Sequence, residues 1–78
     1  MEPNITLVIL GERNWYGVYH SGRLINQGAG MYLDQIESLL GELFPNDLDH
    51  IYIDTCAYWK ERGELPESFS DLLYYSEF

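Results

Sequence analysis

Two carboxylates are the residues best placed for chemistry. Asp54 closes the alternating run HIYID (50–54), and Glu37 lies in a segment with helical periodicity. Carboxylates held together can bind two divalent cations, which clamp the attacked phosphate in many nucleases. No ligand set in the sequence closes such a site, and we expect a strand-end acid and a helix cap instead.

Three further motifs are too sparse for catalysis or ligand binding. Cys56 is the only cysteine, and the nearby carboxylate of Asp54 opposes formation of a thiolate. QGAGM (27–31) lacks the third glycine and the lysine of a phosphate-binding loop. NDLDH (46–50) lacks the glycine and the closing glutamate of a calcium loop. We therefore predict that the protein is not an enzyme and that it uses no metal and no cofactor.

The chain that positions these residues begins with three predicted strands. ITLVIL (5–10) is apolar on both alternating faces, which is typical of a central strand covered on two sides. WYGVYH (15–20) follows a turn, and Gly17 at its middle marks either a bulge or the close approach of another segment. LINQG (24–28) is shorter and more polar, which favours an edge of the sheet.

A helix, a fourth strand and a helical tail are predicted next. Asp34 and Glu37 have the form of a capping box, and a start of the helix nearer Tyr32 is the alternative. Pro45 ends the helix, and HIYIDT (50–55) alternates like a strand. The apolar face of the helix is expected at Leu33, Ile36, Leu39, Leu40 and Leu43.

The tail is predicted to hold two short helices. The first runs through CAYWKERG (56–63) and ends at Gly63. The second opens with Pro66 and the spacing of Ser68 and Asp71, which has the form of a capping pattern. Its apolar side is expected at Phe69, Leu72 and Leu73.

These elements predict an α+β fold in a single domain, residues 1–78. A three-stranded antiparallel meander leads through one crossover helix to a fourth strand parallel to the first, which gives the sheet order 3-2-1-4. One helix covers one face, so the second face needs the tail or a second copy of the chain, and we favour the tail. This layout of residues 5–55 resembles the first half of a ribonuclease H-like fold. This resemblance implies that Asp54 and Glu37 would fall near two of the three carboxylates that hold metal ions in that family. The third belongs in the first strand, but residues 5–10 carry no acid and Glu12 lies beyond their end.

Charge is concentrated in the second part of the chain. The net charge is −9, and residues 34–78 account for all of it, because the acids and bases of residues 1–33 cancel. Such a surface repels nucleic acid and anionic membranes and attracts basic protein surfaces. We expect a cytoplasmic protein, because the chain has a lone cysteine and starts at Met1 without a signal segment or an apolar run long enough to cross a membrane.

Aromatic residues alternate with acids in this part of the chain, and tyrosine, tryptophan and carboxylates are typical of interfaces with arginine-rich partners. The expected partner is the basic surface of a nucleic-acid-binding protein or complex, met by a monomer or a homodimer. The predicted partner-binding residues are Asp54, Tyr58, Trp59, Glu61, Glu64, Glu67, Asp71, Tyr74 and Tyr75.

In size, acidity, single cysteine and lack of a catalytic motif the chain resembles phage-encoded inhibitors of the anti-CRISPR type. The resemblance implies inhibition by occupation, or DNA mimicry, of a basic cleft. The alternative is a small adaptor or self-associating protein whose acidity serves solubility. An even scatter of acids over the fold would favour that alternative, and a single acidic face would favour the inhibitor.

Overall fold

The structure is a computed structural model that describes residues 5–77. Its main sheet contains four strands, β1 (Ile5–Leu10), β2 (Trp15–His20), β3 (Arg23–Ala29) and β4 (Leu48–Ile53). They lie in the order β3-β2-β1-β4, with β1 antiparallel to β2 and parallel to β4. The predicted α+β class and the predicted strand order are therefore confirmed.

The central strand β1 is buried on both faces, as its unbroken apolar sequence predicts. Ile5, Leu7 and Ile9 belong to one cluster of buried side chains, and Val8 and Leu10 belong to a second cluster on the opposite face. The sheet is thus the middle layer of three, and each face needs its own cover.

Helix α1 (Leu33–Leu43) follows a single 3-10 turn, Gly30–Tyr32, and covers the first face. Leu33 and Leu40 are buried in the first cluster, and Ile36 packs against it. Leu39 and Leu43 are half or more exposed, so the predicted apolar stripe was too wide.

The predicted capping box at the start of α1 is wrong. The residue at the cap position is Tyr32, and no side chain caps the helix. Asp34 instead forms an ion pair with Arg13, and Glu37 contacts His50 of β4 at 3.0 Å. Both carboxylates contact side chains on neighbouring segments and do not turn back to the helix end.

The tail covers the second face, as predicted. It contains β5 (Thr55–Cys56), α2 (Ala57–Arg62), α3 (Phe69–Tyr75) and β6 (Ser76–Glu77), with β5 and β6 paired as a small antiparallel sheet. The buried side chains that it adds to the second cluster are those of Cys56, Leu65 and Leu72.

The helix ends and the apolar side predicted for the tail are confirmed in part. Gly63 ends α2 with a positive φ of 75°, which glycine adopts without strain. Ser68 precedes α3 but makes no capping bond, since its hydroxyl pairs with that of Ser70. Leu73 is also exposed, so only Phe69 and Leu72 form the predicted apolar side of α3.

We expect Leu40→Ala to lower the free energy of unfolding by about 2 to 3 kcal/mol, near the low end for Leu→Ala, because the side chain keeps a little solvent contact. Leu39→Ala, one position away and half exposed, should change it by less than about 0.5 kcal/mol. Urea titrations followed by circular dichroism measure both. Equal effects would mean that α1 packs on the sheet with a different face.

Candidate docking surface

The predicted partner-binding residues all lie in the tail layer or at its start. Asp54 follows β4, and the rest fall on α2, on α3 and on the segment that joins them. Four of them come together around one groove, with a volume of about 470 Å³. The groove is lined by Tyr58, Glu64, Glu67, Asp71, Leu24, Gln27, Leu65 and Pro66.

The groove combines an acidic rim with an apolar floor. Glu64, Glu67 and Asp71 are exposed carboxylates, whereas Leu65 and Pro66 are buried. No lysine or arginine lines the groove. Arg62 stands near it, but its guanidinium lies over the ring of Tyr58, 4.6 Å from the centroid. The three carboxylates are therefore free of ion pairs among residues 5–77.

Backbone hydrogen bonds hold the acidic segment against β3. The amide of Leu24 donates to the carbonyl of Glu67 at 2.8 Å, and the amide of Phe69 donates to the carbonyl of Gly22 at 2.9 Å. Hydrogen bonds of this kind fix the backbone next to Glu67, so its position does not depend on the flexible side chain alone.

Two side chains that sequence reasoning missed complete this attachment. The side-chain oxygen Oε1 of Gln27 accepts from the backbone amide of Leu65 at 2.7 Å and from the indole N–H of Trp15 at 3.0 Å. The buried hydroxyl of Tyr19 donates to the carbonyl of Pro66 at 2.6 Å. Burial, with smaller contributions from Cys56 and Tyr58, raises the pKa of Tyr19 above its usual range. The hydroxyl thus keeps its proton and remains a donor at any physiological pH.

Gly17 explains how the floor of the groove fits the sheet. A Cβ at this position would meet the Cδ1 of Leu65 at 2.5 Å, so glycine leaves the space that the leucine occupies. Of the two roles predicted for Gly17, close approach of another segment is the one observed. The bulge lies one step further along, at the register shift between Val18 and Tyr19.

The other predicted partner-binding residues lie outside the groove. Trp59 is half-buried in the second cluster and stacks on Trp15 with a centroid distance of 5.9 Å. Its indole nitrogen is buried without a hydrogen-bond partner among the described residues. Glu61 and Tyr75 line a separate hollow of about 50 Å³.

Tyr74 and Asp54 are also outside it. Tyr74 is the most exposed of the large apolar side chains, at 81%, and contacts Tyr75 edge to face. Asp54 is exposed, and its amide donates to the carbonyl of Glu77 at 2.8 Å, which joins the end of β4 to the tail.

The acids are divided between the two outer layers. Glu61, Glu64, Glu67 and Asp71 lie in the tail layer, whereas Glu37 and Glu42 lie on α1 across the sheet. Glu37 is engaged with His50, so the unpaired acids are denser on the tail side. The distribution is neither a single acidic face nor an even scatter.

The candidate catalytic and metal-binding residues do not form a site in the structure. Cys56 is a buried free thiol in β5. Glu37 contacts His50, while Asp54 is at the end of β4. Over residues 5–77, no three His, Cys, Asp or Glu side chains are grouped closely enough to hold a metal ion.

Comparisons with family models, with curated proteins and with solved structures find no match to this chain. In the part of the chain that the structure describes, no helix has the length and apolar character needed to cross a membrane.

Proposed function

We propose that this chain is a small acidic binding protein of the cytoplasm that docks on the basic surface of a nucleic-acid-binding protein or complex. By occupying that surface it inhibits the partner, in the manner of phage-encoded inhibitors of the anti-CRISPR type. The observation that carries the proposal is the groove, in which Glu64, Glu67 and Asp71 surround an apolar floor and form no ion pair with any of residues 5–77.

The groove suits arginine and lysine side chains for two reasons. Carboxylates accept paired hydrogen bonds from a guanidinium group, and the half-buried side chains of Leu24 and Tyr58 offer apolar contacts to its aliphatic stem. A volume of about 470 Å³ lies within the usual range for binding pockets, which is roughly 300 to 1,000 Å³.

The attachment of the groove favours binding without a large rearrangement. Its wall is bonded to β3 through Glu67 and to the turn before β3 through Phe69. Its floor is bonded to β3 through Leu65 and to β2 through Pro66. Groups that are ordered before binding lose less conformational entropy when a partner arrives.

The test is charge reversal in the groove against a matched reversal elsewhere. Glu64→Lys/Glu67→Lys/Asp71→Lys raises the net charge from −9 to −3, and so does Glu12→Lys/Glu42→Lys/Asp47→Lys, because each change adds two charges. All six side chains are exposed, so both variants should fold. Calorimetric titration with an arginine-rich peptide should show the groove variant losing about 30-fold or more in affinity, which corresponds to about 2 kcal/mol. The control variant should lose less than about threefold.

A second arm tests inhibition itself. A basic nucleic-acid-binding protein that is found to bind the parent chain should release duplex DNA as the chain is added, and the groove variant should fail to displace the DNA. Equal losses of affinity for the two variants would mean that the partner is bound by general charge attraction and not at the groove. Simultaneous binding of DNA and this chain to one partner would exclude occupation of its basic cleft.

A further inference from the structure

A small hollow adjoins the groove. It has a volume of about 50 Å³ and is lined by Ala57, Tyr58, Glu61, Arg62 and Tyr75. Tyr58 also lines the groove, so the two recesses share one aromatic side chain. A water molecule needs only roughly 10 to 15 Å³ of such space, and the hollow therefore has room for a larger group.

The walls of the hollow suit a cation. The rings of Tyr58 and Tyr75 have centroids 5.5 Å apart and planes tilted by 51°. The face of an aromatic ring attracts a positive charge. The carboxylate of Glu61 is exposed and forms no ion pair with any of residues 5–77, so it is available to the same group. An anion is disfavoured, because Glu61 and the net charge of −9 repel it.

The chain's own Arg62 shows that a guanidinium fits this place. Its Cζ lies 4.6 Å from the centroid of the Tyr58 ring, which is one helical turn away on α2. Arg62 is exposed and forms no ion pair with any of residues 5–77. A cation–π contact at an exposed site changes an equilibrium constant by only about 2- to 5-fold, so Arg62 is held weakly.

We infer that the hollow is an arginine subsite beside the groove, and that Arg62 occupies it until an arginine of the partner takes its place. The inference rests on the function proposed above, since both recesses bind the same partner. It adds a preference that carboxylates alone do not give. A guanidinium is planar and weakly hydrated and stacks on aromatic rings, whereas an ammonium is compact and strongly hydrated. An arginine-rich partner should therefore be preferred to a lysine-rich one.

Nuclear magnetic resonance of the full chain tests the displacement directly. The ring current of Tyr58 should shift the side-chain protons of Arg62 upfield in the free chain, and this shift should disappear as an arginine-rich peptide is added. A lysine-rich peptide of the same length should leave most of the shift in place at equal saturation. Arg13, which is paired with Asp34 of α1, is the internal reference. Retention of the shift at saturation with the arginine-rich peptide, or equal loss with both peptides, overturns the inference.

Two charge-matched variants test the competition. Arg62→Gln and Lys60→Gln each remove one positive charge from α2, which changes the net charge from −9 to −10. Both residues are exposed, so both variants should fold. In calorimetric titration, Arg62→Gln should bind the arginine-rich peptide about 2- to 5-fold more tightly than Lys60→Gln, because only the first substitution frees the Tyr58 ring. Equal affinities would mean that Arg62 acts through its charge alone, which contradicts the inference.

Glu61→Gln tests whether the hollow itself takes the arginine. Glu42→Gln is its control, because it makes the same change of charge at an exposed position of α1, across the sheet. Affinity for the arginine-rich peptide should fall about 2- to 5-fold for Glu61→Gln, as expected for the loss of an exposed ion pair, and should change little for Glu42→Gln.

The subsite and the groove fail in different ways. A parent chain that does not bind the arginine-rich peptide refutes both together. Loss of binding in Glu64→Lys/Glu67→Lys/Asp71→Lys, with equal affinities for Glu61→Gln and Glu42→Gln, leaves the groove in place and refutes only the subsite.

Discussion

Leu72→Ala should remove about 3 to 5 kcal/mol of the free energy of unfolding, the upper range for truncating a buried leucine. The side chain is fully buried in the second cluster, where it closes the layer between α3 and the sheet. A domain of this length has a total stability of roughly 4 to 12 kcal/mol. The variant should therefore lose at least about a quarter of that stability.

Leu73→Ala is the matched control for this prediction. The residue is the next in the same helix, but 43% of its surface is exposed, so its truncation should cost less than about 1 kcal/mol. Urea titrations followed by circular dichroism measure the difference. If Leu72→Ala melted with the parent, α3 would not be part of the core, and the groove beside it would have no fixed wall.

Gly30→Ala should lower the free energy of unfolding by about 3 kcal/mol or more, which is comparable to the effect expected for Leu72→Ala. Gly30 begins the 3-10 turn, and its amide donates to the carbonyl of Asn14 at 3.0 Å. A Cβ at this position would overlap the backbone carbonyl of Arg13. Overpacking commonly costs about 1 to 3 kcal/mol, and this case lies at the upper limit because the obstacle is backbone and cannot rotate away.

Gly41→Ala is the control with the opposite expected sign. Gly41 lies within α1, and among residues 5–77 no atom apart from the adjacent helix backbone and chain neighbours lies within 4 Å of where its Cβ would be. Alanine has the higher helix propensity, so this variant should gain about 0.5 to 1 kcal/mol. Thermal melts of the two variants should move in opposite directions from the parent. Destabilisation by both to the same extent would contradict the packing described for Gly30.

The sheet could be predicted from the sequence because its signals are local or follow from chain topology. ITLVIL is apolar on both faces, and a helix between two strands forces a parallel crossover. The helix ends were less predictable, because their side chains have competing partners elsewhere. Asp34 fits a capping pattern, yet its partner is Arg13, 21 residues earlier, which no local pattern indicates.

The candidate site was predictable to a similar degree. Glu64 and Glu67 lie on the short segment between α2 and α3, and Asp71 lies in the first turn of α3, so their proximity in space was foreseeable. Gln27 was not, because its bond to Leu65 spans 38 residues. Trp59 was taken for an interface residue, but a ring on a short helix can face the core or the solvent, and composition does not distinguish the two. In the structure it packs on Trp15.

That contact gives the protein a built-in optical probe. Trp15 and Trp59 are the only tryptophans of the chain, and both belong to the second cluster. Their fluorescence therefore reports the solvent exposure of the tail layer, while far-ultraviolet ellipticity reports the backbone of the whole fold. If the tail detaches before the sheet unfolds, the emission will shift to the red at a lower denaturant concentration than the loss of ellipticity. The unlabelled chain can thus show whether its two outer layers separate from the sheet together or one after the other.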